Sequence, residues 1–330
     1  MATWNVGLDR PGPGLLVDAI ASGDDPQVEA VLRVLARLDA DVILLTAVDY
    51  DRNLVALSLL ADRLVPLGRG YPHRFALRPN TGRQTGLDLD GDGRLGGPGD
   101  AQGWGQFSGQ AGMAVLSRLP VDTAAVRDFS GFLWADLPGA LLPEAMGDEA
   151  RRVQRLSTTA HWEVPLVLPD GGRLRLLAYH ATPPVFDGPE DRNGRRNHDE
   201  SAFWLRLLGS ELDETPPQPP FVVIGDGNLD PADGDGRRDG IRALLGHPAL
   251  QDPAPKGTSG RSEPGQKGDP AQDTALYPDI GGLRVDLVLP SADLKVTASG
   301  VLWPPEGDPL IPDLTAASRH FPVWVEVEVP

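Results

Sequence analysis

The chain has 330 residues, no cysteine and a formal net charge of −17. The lack of cysteine excludes disulfides and thiolate-ligated zinc, and no apolar stretch approaches the roughly 20 residues of a membrane-spanning helix. The acidic balance disfavours long nucleic acids as partners, because proteins that grip duplex DNA neutralise its phosphates with lysine and arginine. Abundant glycine and proline (39 and 33 residues) predict short strands with turn-rich connections.

In chain order, the hydrophobic pattern of the first 117 residues alternates short buried strands with amphipathic helices. The apolar residues of the first helix recur at helical spacing, for example at Val28, Val31, Leu32 and Leu35. The predicted elements are a strand at 2–7, a helix at 25–38, a strand at 41–48, a helix at 52–64, a Gly- and Asp-rich loop at 78–112 and a strand at 113–117.

The rest of the chain is dominated by strands, with two helices between them. The predicted elements are strands at 157–167, 174–179, 221–225, 284–289 and 323–329, helices at 199–214 and 238–244, and loops at 215–220 and 253–270. This pattern predicts an α+β protein, a two-sheet β-sandwich flanked by helices on both outer faces. No internal repeat divides the chain, so residues 1–330 are predicted to form a single domain with the loop at 78–112 inserted.

The most informative motif is Gly225-Asp226-Gly227-Asn228, which directly follows an apolar run that ends at Ile224. A buried strand with this ending brings a carboxylate and a carboxamide to the same side at a sheet edge. The pair suits phosphate chemistry, because the carboxylate can deprotonate a nucleophile while the amide donates to a phosphoryl oxygen. Asp and Asn are also ordinary turn residues, so the motif alone leaves a structural turn open.

Six other segments accompany this motif in a specific order along the chain. They are Thr3-Trp4-Asn5-Val6, Asp41-Val42-Ile43-Leu44-Leu45, Gly112-Met113-Ala114-Val115-Leu116-Ser117-Arg118, His180-Ala181-Thr182-Pro183-Pro184, Arg284-Val285-Asp286-Leu287-Val288-Leu289-Pro290 and Ser318-Arg319-His320. Together the segments resemble the endonuclease/exonuclease/phosphatase superfamily, the fold of DNase I-like nucleases and inositol-polyphosphate phosphatases, over essentially the whole chain. Residues 182–200 and 291–304 are similar to a bacterial, often exported branch whose substrate is generally unassigned.

The resemblance implies roles for four residues around the scissile phosphate. Asp226 would activate the attacking water, Asn228 would hold the phosphate and His180 would contact it. Asn5 matches an amide that binds phosphate or belongs to the metal shell. For His180 the alternative is a strand-end histidine without a task, and for Asn5 it is a structural turn residue.

The resemblance also implies a catalytic pair formed by Asp286 and His320. A carboxylate beside a histidine fixes one tautomer and stabilises the protonated ring, which can then balance charge that builds on phosphoryl oxygens. The alternative is a surface histidine and an unrelated strand aspartate.

Three positions depart from the family pattern and bear on the expected cofactor, Mg²⁺ or Mn²⁺. The glutamate that the family usually provides as a principal metal ligand is here Ala47, and the acid before the last histidine is Arg319. A further position that is sometimes acidic is Gly7. Because Mg²⁺ is bound through carboxylates and phosphate oxygens, these changes put the usual metal-dependent hydrolysis in doubt.

Arg319 itself has two interpretations. Its guanidinium is always charged and can clamp a phosphate through two hydrogen bonds. In that interpretation it takes the place of the metal and binds an anion beside His180 and His320. In the other, the site has decayed and Arg319 pairs with Asp226 or Asp286.

The long loop contains a second candidate metal site. Asp88, Asp90 and Asp92, followed by Gly93, have the spacing of an EF-hand-type Ca²⁺ loop. The twelfth position of that pattern is Gly99 rather than glutamate. The sequence therefore leaves open a structural Ca²⁺ site and a solvated acidic turn.

Residues 183–199 directly follow His180 and are expected to overhang the pocket as a substrate-contacting segment. Its members with a predicted role in substrate choice are Phe186, Arg192, Arg195 and Arg196, and those predicted to fix turns are Asn193 and Asn197. The arginines are interleaved with acids, which favours internally paired charges over a basic cleft.

Two functions follow from these observations. One is a hydrolase that cleaves a small phosphate ester by water attack, and the other is an inactive homologue that binds phosphate or another anion. Met1 is followed by a strand pattern with no basic or leader-like apolar region, so the chain as given carries no signal peptide. Resemblance to an exported branch leaves a trimmed leader open, and the sequence assigns neither a compartment nor an oligomeric state.

Overall fold

A computed structural model describes residues 1–329. Its strands are β1 (Ala2–Leu8), β2 (Val42–Val48), β3 (His73–Phe75), β4 (Gly112–Ser117), β5 (Arg127–Asp128), β6 (Ala160–Val167), β7 (Arg173–His180), β8 (Phe221–Asp226), β9 (Ala275–Tyr277), β10 (Gly281–Leu283), β11 (Asp286–Pro290), β12 (Lys295–Val301) and β13 (Val323–Glu328). Its α-helices are α1 (Leu15–Ser22), α2 (Pro26–Leu38), α3 (Val55–Leu64), α4 (Asp148–Val153), α5 (Arg192–Leu208), α6 (Asp239–Leu245) and α7 (Ile311–Ala317).

The strands form two large mixed sheets and one short hairpin. The first sheet has the order β12-β13-β1-β2-β4-β3, and the second has the order β11-β8-β7-β6-β5. The neighbours β1 and β2 run parallel, as do β7 and β8. The hairpin pairs β9 with β10. This arrangement confirms the predicted α+β sandwich.

The second sheet is buried on both faces, and the alternation of its side chains shows why. Val222 and Ile224 of β8 face the core shared with the first sheet. Phe221 and Val223 belong instead to a second core beneath α5 and α6. The residues of β8 therefore form a continuous apolar run, as expected for a strand covered on both sides.

The first sheet is also buried on both faces, because α1, α2, α3 and α7 cover its outer face. Asp25 caps α2 by accepting a hydrogen bond from the backbone N–H of Val28, and Pro26 starts the helix. Val31 and Leu35 on its apolar stripe belong to the core. The strands of both sheets are thus packed from both sides. None of the helices described in residues 1–329 is long and apolar enough to cross a membrane.

The main difference from the sequence prediction concerns α5. The helix was predicted at 199–214 but begins at Arg192 and ends at Leu208. Its first two turns carry polar residues that are nonetheless buried, among them Arg196, Asn197 and Glu200. Because these buried residues are polar, a hydrophobicity pattern does not show the helical period at the start of α5. The C-terminal part of the segment predicted to overhang the pocket, residues 192–199, is therefore helical.

Eight short elements were absent from the prediction: α1, β3, β5, α4, β9, β10, β12 and α7. The short α1 lies between Gly14 and Gly23, both of which have left-handed backbone. The edge strand β12 alternates exposed and half-buried residues and begins at an exposed lysine, Lys295. Each is too short or too polar for its periodicity to stand out.

Candidate active site

Strand pairing brings the candidate catalytic residues to one end of the second sheet. In the parallel pair β7–β8, His180 lies directly opposite Asp226. In the antiparallel pair β8–β11, Asp286 lies opposite Asp226 on the other side. Asn5 approaches from the first sheet and donates its side-chain amide to Asp226 Oδ2 at 2.8 Å. The two sheets therefore meet at this carboxylate.

The turn after β8 has a backbone that depends on its residue types. At Gly225 φ is +146°, and a Cβ there would lie 1.8 Å from the carbonyl oxygen of Tyr179, so only glycine fits. Asn228 has φ +50°, a conformation that asparagine tolerates better than most residues. Its backbone N–H donates to Asp226 Oδ1 at 2.8 Å, and its side-chain amide donates to the carbonyl oxygen of Ala181 at 2.8 Å. Asn228 thus fixes the turn after β8 against the end of β7.

Asp226 is fully buried, and each of its oxygens accepts a hydrogen bond. Burial raises the pKa of Asp226, and the nearby Asp286 carboxylate raises it further. His180 Nε2 lies 3.6 Å from Asp226 Oδ2. Burial lowers the pKa of His180, which favours a neutral imidazole near neutral pH.

Asp286 and His320 form the predicted pair. His320 Nδ1 lies 2.8 Å from Asp286 Oδ2, which also accepts a hydrogen bond from the Thr274 hydroxyl at 2.9 Å. Trp4 Nε1 donates to the backbone carbonyl of His320 at 2.8 Å and so anchors the histidine segment to β1. Burial alone lowers the pKa of His320, but the charge and hydrogen bond of Asp286 outweigh it, and the net change raises this pKa.

A cleft of about 620 Å³ opens over these residues. Asn5, His180, Asn228 and His320 line it, whereas Asp226 lies at its base, fully buried. Arg319 lines the cleft with an exposed side chain, and its guanidinium lies 5.6 Å from the ring centre of Tyr277.

The carboxylates below Arg319 are bound by other groups. Asp226 accepts from Asn5 and from the backbone N–H of Asn228, and Asp286 is held by Thr274 and His320. Among the described residues, the pairing of Arg319 with Asp226 or Asp286 that one interpretation required is absent. A free guanidinium at the rim is available to an anion in the cleft.

The family model described as "Endonuclease/Exonuclease/phosphatase family" matches residues 2–320. The chain belongs to this family. No curated protein matches the chain in sequence.

Solved structures share the fold at low identity. An endonuclease/exonuclease/phosphatase from Beutenbergia cavernae is 19% identical with a TM-score of 0.56, and the alignment covers 99% of this chain and 70% of that one. Sphingomyelinase C from Streptomyces griseocarneus is 16% identical with a TM-score of 0.52 over 99% and 98% of the two chains. A family protein from Bacteroides thetaiotaomicron is 14% identical with a TM-score of 0.52 over 99% and 96%. These similarities establish a DNase I-like fold.

Members of this endonuclease/exonuclease/phosphatase family typically use divalent metals, but this chain differs at positions where the family usually has metal ligands. Ala47 sits at an irregularity in β2 with φ +55° and lines the cleft, but its methyl group offers no ligand. Asp226, Asp286 and His320 lie close enough to share an ion. Each Asp226 oxygen accepts one hydrogen bond, and Asp286 Oδ1 is the one carboxylate oxygen of this trio without a partner.

A hard ion such as Mg²⁺ is bound through carboxylates and keeps several waters. The cleft lacks a carboxylate at position 47 and has a cation at position 319. The residues of this chain therefore do not fit the usual metal set of the family.

The loop at 78–112 presents a different acidic cluster from the one predicted. Asp88 and Asp90 lie together with buried Asp100 rather than with Asp92. The Asp92 carboxylate accepts a hydrogen bond from the backbone N–H of Arg94 instead. The buried Asp100 carboxylate accepts from the backbone of Leu89 and of Gly97, and these bonds lower its pKa. A Ca²⁺ site in this loop stays a prediction from the sequence. Its candidate ligands are Asp88, Asp90 and Asp100, with Asp100 in place of Asp92.

The predicted substrate-contacting arginines do not line the cleft. Arg192 donates to the Gln154 side chain at 2.6 Å, and Arg195 donates to the carbonyl of Glu190 at 3.1 Å. Arg196 is buried and donates to backbone carbonyls, including that of Leu156. Neutral acceptors, rather than the interleaved acids, take these bonds. Of the four residues predicted to shape substrate choice, Phe186 is the one that reaches the cleft.

Sequence reasoning missed the role of Asn197, which was expected to fix a local turn. Asn197 is fully buried and donates to the carbonyl of Thr182 at 2.7 Å and to that of Gly227 at 2.8 Å. One side chain thus connects the segment after His180 to the turn after Asp226. Asn197 lies three residues before Glu200, so the two side chains share one helix face. This spacing is the sequence signal that could have indicated the role of Asn197.

Glu200 completes this support beneath the site. One of its carboxylate oxygens accepts from the backbone N–H of Thr182 at 2.7 Å, and the other accepts from that of Thr158. Burial raises the pKa of Glu200 to about 7. Thr274 and Tyr277 were also missed, because they come from the segment around β9, which has no local motif.

Proposed function

We propose that this protein hydrolyses a phosphate ester of a small molecule by attack of water at phosphorus. The observation that carries the proposal is the shared position of the groups that such a reaction needs. A buried carboxylate, Asp226, is held by Asn5 and flanked by His180, and the Asp286–His320 pair adjoins it.

In the proposed reaction Asp226 takes a proton from water as the water oxygen attacks phosphorus. Its hydrogen bonds from Asn5 and Asn228 fix its orientation and leave lone pairs on both oxygens. A raised pKa brings a carboxylate nearer to neutral pH, where general-base catalysis is most effective. The bond from phosphorus to the leaving oxygen breaks as the new bond forms, and the leaving oxygen keeps the bonding electrons and takes a proton from solvent to depart as the alcohol.

The groups at the cleft then balance the charge of the phosphate. His180 and Asn5 lie on one side of Asp226, and His320, whose pKa is raised, offers a positive charge on the other. Arg319 adds a second positive charge at the rim. Pre-organised donors of this kind stabilise the charge that develops in a transition state. No step of this proposal passes through a metal ion.

The pH dependence follows from the two raised pKa values. Asp226 must be ionised, so activity falls as the pH drops through its pKa. His320 must be protonated, so activity falls as the pH rises through its pKa. The proposal therefore requires a bell-shaped profile for hydrolysis.

A second candidate function is binding of phosphate or another small anion without hydrolysis. Two features favour anion binding. Ala47 removes a carboxylate that would bind a metal ion, and the guanidinium of Arg319 provides a permanent positive charge in the cleft. In both functions the net charge of −17 disfavours a long polyanion as the partner.

Hydrolysis of bis-p-nitrophenyl phosphate and p-nitrophenyl phosphate tests the proposal. We expect turnover by the wild-type protein and a loss of about 10²- to 10⁴-fold in Asp226→Asn, the range for removal of a general base. Asp313→Asn, at a surface ion pair with Arg33, is the matched control and should keep its activity. Phosphate binding without any turnover would replace the hydrolase by the anion-binding protein.

A further inference from the structure

The cleft has an apolar side that the proposed reaction does not use. It is formed by Phe186, Tyr277, Ile280 and Leu283. Phe186 is 89% exposed and Ile280 is 59% exposed, which is unusual for side chains of this size. These four residues, which we call the apolar wall, face the space that the phosphate-contacting residues leave open.

Two features of Phe186 lower the stability of the folded protein. Its ring lies in water, and its backbone has φ +67°, a region that residues with a bulky side chain rarely adopt. Strained residues that persist cluster at ligand-binding and active sites. Its position at the rim of this cleft is consistent with a ligand that covers the ring.

The apolar wall is continuous with the catalytic pair. The Tyr277 hydroxyl lies 3.5 Å from His320 Nε2, and the two rings pack edge to face with centres 6.1 Å apart. The Arg319 guanidinium lies over the same Tyr277 ring. A phosphate held by His320 and Arg319 would place its organic group against this wall.

Acidic side chains around the cleft limit the charge that the organic group of the ligand can carry. Asp230 and Asp233 also line the cleft, but backbone N–H groups occupy their oxygens, including those of Arg284 and Gly268. Asp235 is exposed and lines the cleft as well. These carboxylates disfavour any second anionic group on the ligand.

We infer that the substrate is a phosphate ester of an apolar alcohol without a second negative charge, with an aryl or alkyl group that packs on Phe186 and Tyr277. The inference rests on the anion site of the proposed function for the position of the phosphate. It deepens that function, because it selects hydrophobic esters over sugar phosphates and nucleotides. The preference for hydrophobic esters arises because binding removes apolar surface of the protein and of the ligand from water.

Two non-hydrolysable ligands test this inference by calorimetry, independently of turnover. We expect phenylphosphonate to bind about tenfold more tightly than methylphosphonate, a ratio that corresponds to about 1.4 kcal/mol. Phe186→Ala should reduce this ratio at least about threefold and leave the affinity for methylphosphonate unchanged. Trp104→Ala, which removes an aromatic ring that is 63% exposed but outside the cleft lining, should leave the ratio intact.

The outcomes separate this inference from the proposed hydrolysis. Equal affinities for the two ligands, or an unchanged ratio in Phe186→Ala, would overturn the inference, and so would a failure of both ligands to bind. A preference for phenylphosphonate that depends on Phe186, in a protein that hydrolyses no ester, would support the apolar wall and reject the hydrolase.

Discussion

Replacing Asp286 by asparagine isolates the charge that the structure places on His320. The substitution keeps the size of the side chain and an oxygen that can accept from Thr274. It removes the negative charge 2.8 Å from His320 Nδ1. Both side chains are buried, so solvent does not screen the interaction as it does at a surface.

The magnitude follows from the kind of bond that is lost. A hydrogen bond to a charged group contributes about 1.5–3 kcal/mol. We therefore expect Asp286→Asn, which removes a bond of this size, to lower the pKa of His320. The same change removes a cause of the raised pKa of Asp226, which should fall as well.

The effect on stability has a definite sign. The pKa of His320 is raised in the folded protein, so its contribution is fully present below the unfolded value, about 6.5. That contribution is lost as the pH rises through the folded pKa. Asp286→Asn should consequently reduce the free energy of unfolding more at pH 6 than at pH 9, by at most about 1.5–3 kcal/mol.

Titration of the His320 ring by NMR, together with urea unfolding at the two pH values, measures both effects. Asp313→Asn removes a carboxylate from a surface pair with Arg33 and should leave the His320 titration unchanged. If His320 titrates at the same pH in Asp286→Asn as in the wild type, the reasoning about this pair is refuted.

Four further changes have expected outcomes. Arg319→Ala should weaken phosphate binding by about 1.5 kcal/mol, the low end for a charge-assisted bond because the side chain is exposed; unchanged affinity in calorimetry would remove Arg319 from the anion site. Asn197→Ala leaves two buried carbonyls without a donor and should lower the free energy of unfolding by about 2–4 kcal/mol in urea; a loss below about 1 kcal/mol would contradict its role as a connection. Ca²⁺ should raise the melting temperature, and Asp90→Asn should abolish that rise; an identical rise in the variant would place the ion elsewhere. Ala47→Glu should introduce stabilisation by Mg²⁺ that the wild type lacks, and a wild type stabilised equally would show that other ligands suffice.

The placement of the candidate residues at strand ends could be predicted from the sequence better than the contacts around them. Asp226, Asn228 and His180 follow apolar runs at strand ends, where a pattern of period two and glycine turns are directly readable. Their convergence depends on the pairing of β7 with β8, which follows once the strands are placed. Asn5 could be assigned through the family resemblance, because its partner lies 221 residues away in the chain.

The remaining features depend on tertiary contacts that no local pattern records. Asn197 and Glu200 are buried polar residues, and a hydrophobicity pattern treats such residues as solvent-facing. Tyr277 reaches His320 through a hairpin whose strands have three residues each. Asp100 joins the acidic cluster because the loop folds back on itself, whereas the motif spacing indicated Asp92. In each case the decisive neighbour is distant in sequence.

The measurement that tests the central claim most directly is the metal dependence of phosphodiester hydrolysis. Bis-p-nitrophenyl phosphate would be assayed with Mg²⁺, Mn²⁺, Ca²⁺ or EDTA, for the wild type and for Asp226→Ala. The account predicts turnover that persists in EDTA and is lost in the variant, because Asp226, His320 and Arg319 provide the base and the positive charge. Turnover that requires Mg²⁺ or Mn²⁺ would contradict it, and would show that this chain completes a metal site despite Ala47 and Arg319.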